Sequence, residues 1–74
     1  MRFVASVPTE FQRDGIAWLV LYRDASGWFL EKHLDPLQPS VFDTFHLLEE
    51  DARAEAEEDW GVTADLWRAA KELP

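Results

Sequence analysis

The sequence predicts an α+β domain, with a three- or four-stranded antiparallel sheet, one main helix packed against it and a short C-terminal helical turn. Apolar, β-branched and aromatic runs in the first half of the chain are separated by turn residues, which is typical of strands. One later stretch has apolar residues at helical spacing. The chain has 74 residues, enough for a single domain over residues 1–74.

The first half of the chain contains three predicted strands. Residues 2–7 form the first, with apolar side chains alternating along it. Residues 16–23 give the clearest strand pattern, because they are mostly apolar, include β-branched and aromatic residues and contain no Gly or Pro. Residues 24–27, "DASG", predict a turn. Residues 28–34 then form the return strand.

The turn decides which side chains of the two longest strands share a face. If Gly27 ends a bulged turn, Asp24 lies opposite Trp28. This register buries Trp18 in mid-strand, between apolar neighbours. It also places three apolar side chains together on the other face of the sheet: Leu19, Leu21 and Phe29.

Both faces of the strand at 16–23 are apolar, so both are expected to be covered. One helix covers only one face of a sheet. We expect a second copy of the chain to cover the other, through Leu19, Leu21 and Phe29, because a two-fold dimer is the commonest assembly. The alternative is a monomer in which residues 63–74 or the first strand cover that face.

Residues 41–47, "VFDTFHL", fit either a strand or the beginning of the helix. Their apolar residues fall near one helical face, but the segment is rich in Val, Phe and Thr, which favour strands. We predict a strand over 41–46. The helix then begins near Leu48 and ends at Gly61, a residue type that commonly follows the last helical turn.

The predicted helix has a narrow apolar stripe and an acidic outer face. The stripe contains Leu48, Ala52, Ala56 and Trp60. Residues 49–61 hold seven carboxylates and one arginine. The acids assigned to the outer face are Glu50, Asp51, Glu57 and Glu58. Two interpretations stay open, since these acids either keep a small apolar protein soluble or bind a basic partner.

The C-terminal region also carries a resemblance. It rests on "DTFH" at 43–46, "EEDARAEAEEDWGV" at 49–62, and Trp67. These segments resemble a group of short bacterial proteins of unknown function. In that group a strand ending in Asp-Thr-aromatic-His precedes an Ala-spaced acidic helix, Gly-Val and a Trp. The resemblance implies a small antiparallel sheet packed by one helix, and it implies no activity.

No residue pattern indicates catalysis. Ser40, Asp43 and His46 supply the residue types of a triad, but strand alternation places Asp43 and His46 on opposite faces. His33 and His46 lack the spacing of a recognised metal site. The three glycines are isolated, so no phosphate-binding loop is present. We expect no enzymatic activity, no cofactor and no metal.

Composition limits the remaining partners and the compartment. The net charge of −8 disfavours direct binding to nucleic acid. No apolar run is long enough to span a bilayer, and residues 1–7 are too short for a signal peptide. The absence of cysteine fits the cytoplasm.

These observations together predict a small, non-enzymatic protein-interaction domain that forms a homodimer. The partner is expected to be a protein, which includes a second copy of the chain. The alternative role is an acidic inhibitor, such as an antitoxin, an immunity protein or a nucleic-acid mimic, that blocks a basic site on its partner.

Overall fold

Five strands form one antiparallel sheet in the computed structural model, which describes residues 1–70. The strands are β1 (Arg2–Ser6), β2 (Trp18–Arg23), β3 (Trp28–His33), β4 (Phe42–His46) and β5 (Arg68–Ala69). Their order across the sheet is β4-β3-β2-β1-β5, so β4 and β5 are the two edges. The helix α1 (Glu49–Trp60) packs against one face. The α+β class and the single main helix are confirmed, with five strands in place of three or four.

The fifth strand comes from residues 63–73, where the sequence predicts the short C-terminal helical piece. The described residues of this region form one 3-10 turn, over Ala64–Leu66, and β5 follows it. β5 pairs with β1, with Phe3 opposite Ala69. Residues 68–69 therefore lengthen the sheet, and the described part of the tail does not cover its second face. Residues 71–73 of the predicted helical piece lie outside the described residues.

The helix begins and ends where the sequence predicts. Residues 42–46 are a strand, so the helical alternative for 41–47 is wrong. Leu48 precedes the first helical residue, and Gly61 follows the last with a left-handed φ of 66°. The backbone N–H of Gly61 donates to the carbonyl of Glu57 at 3.0 Å. Glycine suits this position because it has no Cβ to oppose positive φ.

Small residues let the helix lie close to the sheet. Ala52 and Ala56 are fully buried, and Trp60 is nearly so, as the predicted stripe requires. They pack in the core with residues of β2 and β3, among them Leu19, Leu21, Trp28 and Leu30. Leu48 is the exception within the stripe. It precedes the helix in extended conformation and is exposed.

The predicted register between β2 and β3 is wrong by one residue. Arg23 lies opposite Trp28, where Asp24 was expected. Four residues, Asp24 to Gly27, join the strands. The Asp24 carboxylate accepts hydrogen bonds from the backbone N–H groups of Ser26 and Gly27. These bonds stabilise the tighter turn. A slip of one residue moves every side chain of a strand to the opposite face.

The corrected register changes which side chains share a face. Leu19 and Leu21 lie beneath the helix and are fully buried, whereas Phe29 lies on the other face. These three residues therefore do not form one dimer surface. Trp18 is only half-buried on the face away from the helix, while Trp28 takes the core position.

The face of the sheet opposite α1, called here the open face, is partly covered by the loop after β3. His33 and Val20 of this face are buried. The backbone carbonyl of Gln38 lies 2.8 Å from Nδ1 of His33, and this contact holds the loop against the sheet.

Among residues 1–70, no helix is long and apolar enough to cross a membrane.

Candidate protein-interaction surface

The edge strand β4 and its flanking residues expose an unusual number of large apolar side chains. We call these residues the edge surface, and their exposed fractions are Val41 55%, Phe42 47%, Phe45 45%, Leu47 74% and Leu48 54%. Single exposed apolar residues are ordinary on protein surfaces, but five within eight positions form a patch. Such patches mark contact surfaces more often than the rest of a protein surface.

The backbone of β4 adds unpaired hydrogen-bonding groups to this surface. Hydrogen-bonded pairs alternate along an antiparallel ladder. The backbone N–H of Asp24 donates to the carbonyl of Gly27, so this pair is a hydrogen-bonded one. Alternation from this pair means that the backbone N–H and C=O groups of Phe29 and Glu31 point towards β2. The backbone groups of Leu30 and of its alternate neighbours in β3 therefore point towards β4. There they bond to Thr44 and to its alternate neighbours Phe42 and His46. The N–H and C=O groups of Asp43 and Phe45 therefore point outwards from the sheet.

On the open face, aromatic side chains form a continuous row that ends at the edge. The rings of Tyr22 and Phe29 stack with centroids 5.3 Å apart, and Phe29 meets Phe45 edge-on at 5.1 Å. Burial raises the pKa of the Tyr22 phenol, and the negative charges of Glu31 and Asp43 raise it further. This face therefore combines aromatic surface with negative charge close to β4.

On the helix face, a buried ion pair supports the same strand. Lys32 of β3 is 0% exposed, and its Nζ atom lies 2.9 Å from Oε2 of Glu55 in α1. The ammonium group also donates to Thr44 Oγ1 at 2.7 Å and to the Leu30 carbonyl at 3.1 Å. All three of its protons therefore have acceptors, which a buried ammonium requires.

Glu55 joins β4 to the helix through its second oxygen. Oε1 accepts a hydrogen bond from Thr44 Oγ1 at 2.6 Å and another from His46 Nε2 at 2.7 Å. Burial by itself raises the pKa of this carboxyl. The hydrogen bonds from Lys32, Thr44 and His46 outweigh burial and leave the pKa below its ordinary value. Glu55 is thus a charged residue of α1 that connects the helix to β3 and β4, and not a solvated surface acid.

The four acids predicted to bind a partner are all exposed, but they lie on two sides of α1. Glu50 and Glu57 line a cavity with Arg53 and Trp67, on the side towards β5. Asp51 and Glu58 are four and three residues from Glu55, so helical geometry places them on the β4 side. The structure therefore brings only the second pair close to the edge surface.

An arginine from a distant loop explains how α1 carries acids at its C-terminal end. The Arg13 guanidinium donates to the backbone carbonyl of Asp59 at 2.6 Å and lies 3.9 Å from the centre of the Trp60 ring. A cation at this end of a helix interacts favourably with the helix dipole and satisfies a free carbonyl. Arg13 thereby offsets part of the repulsion that Glu57, Glu58 and Asp59 introduce.

A cavity of about 440 Å³ lies on the open face, between the sheet and the loop at 36–40. Glu31 and His33 line it, and Nε2 of His33 lies 3.0 Å from the Glu31 carboxylate. Both ring nitrogens of His33 therefore have partners within the protein, because Nδ1 contacts the Gln38 carbonyl. The side chains at this cavity are engaged in holding the loop.

The residue types of the triad are held apart, as strand alternation predicts. Asp43 is on the open face beside Glu31, whereas His46 is on the helix face with Glu55. His33 and His46 are likewise on opposite faces. Within residues 1–70, no group of three or more His, Cys, Asp or Glu side chains is arranged to hold a metal ion.

Comparisons with protein-family models, curated proteins and solved structures found no match to this chain. The resemblance of residues 43–67 to a group of short bacterial proteins thus stays a prediction.

Sequence reasoning missed the two residues that organise this region, Lys32 and Glu55. Lys32 drew no prediction from the sequence, and Glu55 counted only among the seven carboxylates of residues 49–61. One signal was available, because strand alternation places Lys32 on the same face of β3 as Trp28 and Leu30. The pairing of β4 with β3, which places Thr44 and His46 on that face, has no local signal in the sequence.

Proposed function

We propose that this chain is a small protein-interaction domain that acts without catalysis and binds its partner through β4. The observation that carries the proposal is that an edge strand, with outward backbone groups, exposes Phe42 on one face and Phe45 on the other. Proteins usually protect such edges, because an open edge pairs readily with another strand. An edge that stays apolar fits strand addition by a partner.

The hydrogen bonds that connect β4 to α1 agree with this role. Edge strands are often the least stable part of a sheet, but Thr44 and His46 are fixed to α1 through Glu55. A rigid edge loses less conformational freedom on binding than a mobile one, and this favours association. The predicted homodimer, if formed through this strand, would be one case of the same function.

The acidic-inhibitor role has one observation in its favour. Glu50, Asp51, Glu57 and Glu58 are exposed, and none of them forms a salt bridge within the described part of the chain. Free carboxylates at a surface can block a basic site on a partner. This role also uses protein binding, and it differs in placing the contact on the helix and not on the strand.

Site-specific photo-crosslinking in the native host tests the proposal. A photoreactive phenylalanine analogue replaces Phe45 in one variant and Leu34, which is also exposed, in the control. We expect a defined protein adduct from position 45 and none from position 34. An adduct of twice the chain mass would identify a second copy. Equal adducts from both positions, or none from position 45, would overturn the proposal.

A further inference from the structure

We infer that the segment bound by β4 is an extended, basic stretch of another protein, in which apolar residues alternate with Lys or Arg. This inference rests on the proposed function and names the class of partner. Its basis is charge complementarity, because the apolar edge surface is bordered by carboxylates on both faces of the sheet.

Three carboxylates near the edge have no cationic partner among residues 1–70. Asp43 is exposed in the strand itself, and Asp51 and Glu58 are exposed on the β4 side of α1. None of the three forms a salt bridge with another residue of the described chain. Lys32, the lysine within the described residues, is buried and already paired with Glu55. The edge therefore presents unbalanced negative charge.

The two faces of the sheet set the pattern expected in the bound strand. Side chains alternate between the faces of a strand. Those that point to the open face would extend the row of Phe29 and Phe45, so they should be apolar. Those that point to the helix face would approach Asp51 and Glu58, so they should be basic. Backbone hydrogen bonds to Asp43 and Phe45 would fix the register.

A second copy of the chain fits this edge less well. Antiparallel pairing of two β4 strands about a two-fold axis places both helices on the same side of one continuous sheet. Asp51 and Glu58 of each copy would then approach the same acids of the other copy. Like charges brought together at an interface disfavour the complex, and here no cation lies between them.

Synthetic peptides provide the test, with the intact chain labelled for NMR. The probe is the capped heptapeptide Lys-Val-Lys-Phe-Lys-Val-Lys. Two controls replace every Lys by Gln or by Glu. We expect the Lys peptide to perturb the amide signals of residues 42–48 and to bind at least about tenfold more tightly than the Gln peptide, with binding that weakens as salt rises. The Glu peptide should not bind.

Two variants with the same net charge then locate the effect. Asp51→Asn with Glu58→Gln removes two charges on the β4 side, and Glu50→Gln with Glu57→Gln removes two on the Trp67 side. The first pair should weaken binding of the Lys peptide by roughly threefold to tenfold, whereas the second should change it less than about twofold. Sedimentation of the free chain is measured in parallel, and a monomer is expected.

The outcomes separate this inference from the proposed function. Equal binding of the Lys and Gln peptides at residues 42–48, or equal effects of the two variant pairs, would overturn the inference and leave β4 as the binding strand. Self-association through β4 that excludes the peptide would also overturn the inference, and it would also leave β4 as the binding strand. If no peptide perturbs residues 42–48 and the crosslinking at Phe45 is also negative, the proposed function fails as well.

Discussion

The Nζ atom of Lys32 lies 2.9 Å from Oε2 of Glu55 and connects the third strand to the helix beneath an edge strand. The lysine side chain is 1% exposed and the glutamate side chain 17%. Charges at this depth are stable only when paired and hydrogen-bonded, so the pair fixes how α1 sits against β3 and β4.

Removing one member of this pair should destabilise the fold strongly. Glu55→Gln leaves the Lys32 ammonium buried without a counter-charge, which typically costs about 3–5 kcal/mol of unfolding free energy. Adding Lys32→Met removes that charge and should recover most of the loss. Urea unfolding monitored by tryptophan fluorescence measures both variants. A double variant as unstable as Glu55→Gln alone would show that the buried charge is not the cause.

The same pair predicts how stability depends on pH. The pKa of Glu55 in the folded protein is below its ordinary value of 4.5. The ionised carboxylate therefore contributes stability that is present above pH 4.5 and is lost as the pH falls through the lower folded value. We expect the difference in unfolding free energy between the native protein and Glu55→Gln to be constant near neutrality and to shrink below pH 4.5. A difference that stays constant on acidification would contradict this assignment.

Arg13 should stabilise the helix from a distant part of the chain. Arg13→Gln removes the hydrogen bond to the Asp59 carbonyl, the contact with Trp60 and a favourable charge at the helix C-terminus. We expect a loss of about 1–2 kcal/mol in thermal or urea unfolding. Arg23→Gln, at the exposed end of β2, is the matched control and should change stability by less than about 0.5 kcal/mol. Equal losses would mean that net charge alone is responsible.

The exposed acids at the end of α1 should repel one another. Replacing Glu57 and Glu58 by Gln should stabilise the protein by a few tenths of a kcal/mol, because it relieves like-charge repulsion and the unfavourable dipole interaction. Added salt should raise the melting temperature of the native protein more than that of the variant. Equal salt responses would show that these acids are balanced by cations elsewhere.

Local sequence patterns predicted most elements of this fold. Val, Phe and Thr favour extended structure and predict a strand over 41–46, which β4 confirms. Gly61 marked the helix end for a backbone reason that does not depend on tertiary contacts. In contrast, β5 has only two residues and forms by pairing with β1, so no local pattern predicts it.

The largest error came from a single turn. The predicted bulge at Gly27 would have placed Asp24 opposite Trp28, but Arg23 takes that position. Strand alternation carries this one-residue difference along the whole hairpin. It places Phe29 on the face opposite Leu19 and Leu21. The ion pair of Lys32 with Glu55 depends instead on how α1 and β4 pack against β3, which no local pattern determines.

Amide hydrogen exchange along β4 tests most directly whether this strand is an open binding edge. In the free chain, the amides of Asp43 and Phe45 should exchange much faster than those of Thr44 and His46, because only the latter donate to β3. Adding the Lys-containing peptide should then slow exchange at Asp43 and Phe45 and leave their neighbours nearly unchanged. Protection of Asp43 and Phe45 in the dilute free chain, or no change at these two amides on binding, would contradict the account.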